Sequence, residues 1–157
     1  MLCAVVSMQA QSLIGNWKTS ITDNDEKMDF YFMFYQKTLD MKVTVHMVDN
    51  DGKIILSVSV PGNYTVDGST LSLKMKPDDV VINIEALEFE GKVIDMSDPE
   101  IKELWMGMIL PMIEEHKTEL IKDLPIDGEL EIKSLTSNEL VLITDGDNPE
   151  ALTFIRQ

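Results

Sequence analysis

Apolar residues recur at every second position through much of this chain, and that alternation constrains its fold more than any other feature. Successive side chains of a β-strand point to opposite faces, so a period of two marks half-buried sheet. Residues 28–35 read Met-Asp-Phe-Tyr-Phe-Met-Phe-Tyr, with Phe30, Phe32 and Phe34 on one face and Asp29, Tyr31, Met33 and Tyr35 on the other. Met41, Val43, Val45 and Met47 alternate with Lys42, Thr44, His46 and Val48. Ile54, Leu56, Val58 and Val60 enclose Ser57 and Ser59, and Leu71, Leu73 and Met75 alternate with Ser72, Lys74 and Lys76. Strands are also expected over residues 14–21, 64–66, 80–90, 129–135, 140–144 and 151–156. Asp49-Asn50-Asp51-Gly52 and Asp67-Gly68-Ser69 fall between runs, where a glycine able to take φ > 0 suits a hairpin turn. Nine or ten short strands with short connections are the pattern of a barrel or a sandwich.

One segment has a different period. Ile101, Leu104, Trp105, Met108, Met112, Ile113, His116 and Leu120 recur at steps of three and four, which predicts an amphipathic helix over about 98–122. Ser97-Asp98-Pro99-Glu100 signals its start, with Ser97 as the cap, Pro99 in the first helical position and Glu100 three residues after Ser97. Pro111 lies inside the pattern and lacks the backbone donor, so a kink or break is expected there. The helix should end near Asp123, before Pro125.

Composition narrows the function classes. The 157 residues carry 13 Lys and Arg against 28 Asp and Glu, a formal charge of −15. Phosphate backbones require clustered Lys and Arg, so nucleic acid is excluded as a partner and an anionic membrane surface is disfavoured. At 44% hydrophobic the chain has material for a core. The lone cysteine, Cys3, leaves no intramolecular disulfide and no cysteine-based zinc site. Residues 1–12 open with an apolar run followed by small and polar residues, and are expected to be a signal-peptide remnant cleaved near Ala10, or a disordered tail. Export to the periplasm or the cell exterior follows from that reading. No run approaches the roughly 18 apolar residues of a membrane span. Residues 13–157 contain no repeat or linker and are expected to form one domain.

Leu13-Ile14-Gly15-Asn16-Trp17 places a G-x-W on the first strand, and Thr153-Phe154-Ile155-Arg156 places an arginine on the last. The pair resembles the lipocalin, or calycin, signature. Residues 64–73 and 132–142 further resemble small lipocalin-like proteins of the Bacteroides type that are exported. The resemblance implies an antiparallel up-and-down barrel of about eight to ten strands with one inserted helix. It also implies structural roles for Gly15, Trp17 and Arg156, the arginine stacking on the tryptophan where the barrel closes. In chain order the helix precedes the last three strands, earlier than in the classical family.

The leading function is then a non-enzymatic protein binding a small hydrophobic or amphipathic ligand inside the barrel. The expected lining is Phe30, Phe32, Phe34, Val43, Val45, Leu56, Val58, Leu73 and Trp105, with the three phenylalanines turned inward because the other face carries Asp29. Eleven methionines suit a deformable apolar pocket as well as ordinary core filling. The alternative is an interaction module of a periplasmic or cell-surface assembly, with the helix presenting Trp105 and Met108. An enzyme would need His46 or His116 beside a carboxylate, and no nucleophile motif or phosphate loop is present. The acidic turns at 23–26, 49–52 and 145–148 supply the residues that turns require, and none has full calcium-loop spacing. No cofactor and no metal are expected.

Overall fold

The protein is described here by a computed structural model covering residues 12–23, 26–48, 52–122 and 127–157. The opening segment with Cys3 and Ala10 lies outside the described residues, as do the centres of the acidic turns at 23–26 and 49–52. Strands form where the alternation runs: β1 (Gly15–Asp23), β2 (Glu26–Phe34), β3 (Thr38–Val48), β4 (Gly52–Asp67), β5 (Thr70–Met75), β6 (Val81–Phe89), β7 (Lys92–Ile94), β8 (Asp127–Leu135), β9 (Glu139–Thr144) and β10 (Ala151–Arg156). A short 3-10 turn, Pro77–Asp79, joins β5 to β6, and the helix α1 (Pro99–Lys122) lies between β7 and β8.

All these strands join one sheet in the order β3-β2-β1-β10-β9-β8-β5-β4-β6-β7, and β3 pairs again with β4. That second pairing closes eight strands into an antiparallel barrel, with β6 and β7 branching from β4 outside the ring. The fold is a closed, antiparallel up-and-down barrel with one inserted helix. Register stacks the inward residues in layers. Trp17 faces Phe32, Met41 and Val60 across successive strands. The next layer is Thr19, Phe30, Val43, Val58 and Ile82, and above it come Ile21, Met28, Val45, Leu56 and Ile84. The Trp17 end is the floor, and the Ile21 end is the mouth.

β4 is the longest strand, at 16 residues, and it joins the separate runs expected at 54–60 and 64–66 through Pro61. It continues because Pro61 falls where one edge of β4 passes from β6, whose pairing starts at Ser59, to β5, whose pairing starts at Gly62. The Pro61 carbonyl accepts from the Lys76 amide at 2.8 Å on that edge. A residue's N–H and C=O share an edge, so the missing proline N–H removes no bond to β3. The three-residue β7 was not foreseen, because so short a run shows no period.

Three features of α1 differ from expectation. Asp98, not Ser97, caps it: the Asp98 Oδ1 accepts from the amides of Glu100 (2.9 Å) and Ile101 (3.4 Å), while the Ser97 hydroxyl turns back to Asp95. The helix also runs through Pro111 without a break. The inward stripe is rotated from the one the spacing suggested. Trp105, Met106, Ile109 and Ile113 face the sheet, while Leu104 and Met108 are exposed. Apolar residues surround this helix, so two stripes at steps of three and four compete, and the apolar face of β4, β6 and β7 selects one.

Candidate functional site

The floor is built from the two ends of the chain. The Trp17 side chain is fully buried, and its Nε1 donates to the Leu13 carbonyl at 2.8 Å. The Arg156 guanidinium lies over the indole, with Cζ 4.2 Å from the ring centroid. Its Nη1 donates to the Ile14 carbonyl (2.8 Å) and its Nη2 to the Ser12 carbonyl (2.6 Å). A cation on an aromatic face contributes about 0.5–2 kcal/mol. Gly15 has φ +139°, and a Cβ there would stand 2.6 Å from Arg156 Nη1. Glycine in the G-x-W is therefore the space through which the arginine reaches the backbone.

Two apolar clusters fill the interior. The floor cluster gathers Trp17, Phe32, Phe34, Val58, Leu73 and Phe154 with their buried neighbours, and the phenylalanine rings stack with centroids 5.6 Å (Phe32–Phe34) and 5.2 Å (Phe32–Phe154) apart. The mouth cluster brings Leu56, Ile84 and Leu87 against Ile113, with Trp105, Met106 and Ile109 half-buried beside them. Ile82 packs against both clusters. The nine residues expected to line a pocket are thus divided. Phe32, Phe34, Val58 and Leu73 lie within the floor, with Phe30 half-buried against it. Leu56 and Trp105 belong to the mouth. Val43 is buried in the layer between, and Val45 is half-buried in the layer of Leu56.

The outward face carries a charged site that alternation did not reveal. Asp29 is only 5% exposed, although it faces away from the core. Ser20 Oγ donates to its Oδ1 at 2.5 Å, and its Oδ2 meets Lys18 Nζ (3.4 Å), Lys27 Nζ (3.6 Å) and His46 Nε2 (3.7 Å). Burial pushes this carboxyl up, but the Ser20 hydrogen bond and the charges of Lys18 and Lys27 outweigh it, holding the group below its ordinary 3.8. The sequence signal was available: Lys27 lies two residues before Asp29 on β2, and Lys18 and His46 lie diagonally across from Asp29 on β1 and β3. It becomes readable only once pairing is known.

His46 therefore does stand beside a carboxylate, while the side chain of His116 lies outside the described residues. The arrangement suits stabilisation better than proton transfer. A carboxylate held ionised by two ammonium groups is a weak base, and Ser20 already donates to it. Its effect on stability has a definite sign. A depressed folded pKa gives stability that is complete above the ordinary value and is lost as pH falls through the folded one. Asp29→Asn should cost about 1–3 kcal/mol at pH 7 and flatten the acid limb of a stability–pH profile measured by urea unfolding. An unchanged acid limb would remove Asp29 from the account.

A second carboxylate, Glu85, accepts from Ser57 Oγ (2.6 Å) and Lys42 Nζ (3.1 Å), which hold it below its ordinary range against a smaller effect of burial. Among the described residues, no group of three or more His, Cys, Asp or Glu is placed to hold a metal ion. No described helix is long and apolar enough to cross a membrane.

No protein-family model matches the chain, and no curated protein matches it. Among solved structures it is similar to a lipocalin-like protein from Bacteroides uniformis ATCC 8492, at 13% identity over 93% of this chain and 99% of that one, with a TM-score of 0.46.

Proposed function

We propose that the protein is a non-enzymatic, exported binding protein that takes a small hydrophobic or amphipathic molecule at the mouth of its barrel, beneath α1. The supporting observation is the contrast between the two interior clusters. The floor is filled with fully buried side chains, including Trp17, Phe34 and Phe154. Toward the mouth, Phe30, Met28 and Val45 are only half-buried and Ile21 is 36% exposed, although register places all of them on the inward face. The roof is also loosely covered, because Trp105, Met106 and Ile109 stay half-buried on the sheet. An apolar recess left partly open gains free energy when an apolar guest displaces its water. Met28 and Met106 let such a wall adapt to the guest. In this reading Phe30, Val45, Leu56 and Trp105 touch the ligand, while Phe32, Phe34, Val43, Val58 and Leu73 support them. The apolar segment at residues 1–12 supports export.

The chain's two tryptophans make the test direct, since one lies in the floor and the other at the mouth. Trp17→Phe leaves Trp105 as the only indole. Titrating that variant with the neutral dye N-phenyl-1-naphthylamine should quench Trp105 and raise dye emission. Val45→Phe with Leu56→Phe should weaken the dye by about tenfold or more, a change of about 1.4 kcal/mol, with the far-ultraviolet circular dichroism retained. Absence of dye binding, or equal affinity in the filled variant, rejects the reading.

A further inference from the structure

We infer that an apolar guest enters and leaves the barrel sideways, through an unpaired stretch of wall between β1 and β10. The inference rests on the mouth reading and says how that site is reached. β1 and β10 pair at Trp17–Arg156 and Lys18–Ile155. Toward the floor the seam is shut, because the Gln157 amide donates to the Asn16 carbonyl at 2.9 Å and Arg156 lies over Trp17. Toward the mouth, among the described residues, no pairing joins residues 19–23 of β1 to residues 151–154 of β10, although both segments are strand. Each keeps its ladder on the far edge, β1 with β2 as far as Asp23 and β10 with β9 from Ala151. The wall is whole on either side and open between.

Three observations make this stretch a passage. The first is the direction of the backbone groups. Asn16 uses the edge facing β10, so Ser20 and Thr22 turn their N–H and C=O the same way. The Arg156 amide donates to the Asn138 carbonyl on the β9 side, so Ala151 and Thr153 turn theirs toward β1. No ladder bond joins these two edges, so none has to break for them to part. The second is a gradient of exposure around the ring. In the layer of Thr19, Phe30, Val43 and Val58, the residues on β1 and β2 are half-buried and those on β3 and β4 are buried. In the layer above, Ile21 is exposed, Met28 and Val45 are half-buried and Leu56 is buried. Leu152 on β10 is half-buried against the core as well. The interior thus opens toward the seam and not evenly toward its end. The third is the position of the roof. Trp105, Met106, Ile109 and Ile113 pack with Leu56 on β4 and with Ile84 and Leu87 on β6. β4 lies across the ring from β1 and β10, so a guest passing at the seam need not displace α1.

A reversible bridge across the seam tests this. Thr22→Cys with Thr153→Cys, in a Cys3→Ser background, puts one thiol at an exposed position on each rim and leaves the Ser20–Asp29 hydrogen bond in place. A bismethanethiosulfonate reagent ties the rims together, and the whole chain is mixed with N-phenyl-1-naphthylamine by stopped flow. Bridging should slow association and dissociation alike, by about tenfold or more, and leave Kd within about twofold, because a route changes rates and not the equilibrium. Reductant should restore both rates. Ser72→Cys with Glu129→Cys, tied in the same way across the paired strands β5 and β8, should leave both rates unchanged. Unchanged rates after bridging β1 to β10, or equal slowing by the β5–β8 bridge, overturn the sideways route and leave the mouth reading standing. Absence of dye binding before any bridge is made overturns both.

Discussion

Trp17→Ala lowers the unfolding free energy by about 4 kcal/mol, the largest loss expected from any single truncation in this protein. The side chain is fully buried, so its removal leaves a cavity in a floor already packed with phenylalanine rings. It also removes the platform under Arg156 and the donor to Leu13. Arg156→Ala should cost less, about 1–2 kcal/mol, because its charge is partly open to solvent and its backbone bonds can pass to water. The two losses should not add: a double-mutant cycle should return a coupling of about 0.5–2 kcal/mol. Urea unfolding of the four proteins gives all these values. A Trp17→Ala loss below about 1 kcal/mol would show that the seam between β1 and β10 contributes little to closure.

Gly62→Val is the second large effect, expected at about 3 kcal/mol, near the upper end of what overpacking costs. A Cβ at this position would stand 2.8 Å from the Lys74 carbonyl oxygen, 3.0 Å from Met75 Cα and 2.7 Å from Met75 Sδ. The methionine sulfur can move aside, but the backbone of β5 cannot without loosening its pairing with β4. Gly128→Val on β8 is the control, because nothing lies within 4 Å of a Cβ built there. Comparable urea midpoints for the two variants would show that β5 yields easily.

The period of two made the strands legible, and it succeeded where one face is buried: Phe32, Phe34, Met41 and Leu73 all turn inward. It failed where burial and face part company. Asp29 argued for the inward phenylalanines on the premise that its own face is wet, yet Asp29 is nearly as buried as they are. Lys18, Lys27 and His46 cover it, and they come from three different strands. Alternation along one strand carries no information about neighbours across the sheet. The same limit applies to Pro61, whose tolerance depends on which edge lacks a partner at that point. The helix was legible in extent but not in orientation, because Leu104 and Met108 satisfy the same spacing as Trp105 and Ile109.

The candidate mouth divides similarly. Sequence assembles its apolar residues but not their heights in the barrel, and height separates a supporting Phe32 from a half-open Phe30. The unpaired stretch between β1 and β10 left no sequence signal, since each strand alternates as its pairing on the far edge requires.

The seam of the barrel joins residues from the two extremes of the chain. Arg156 binds the carbonyls of Ser12 and Ile14, and the Gln157 amide donates to Asn16. Arg156 is synthesised 142 residues after Ile14, so β1 waits with that edge open until β10 emerges. The hairpin of β1 with β2 can form early, but Trp17 cannot be covered by Arg156 until β10 has been made. Closure over such a sequence distance is slow, and an open apolar edge invites pairing with other chains meanwhile. Closure of this barrel therefore waits on β10.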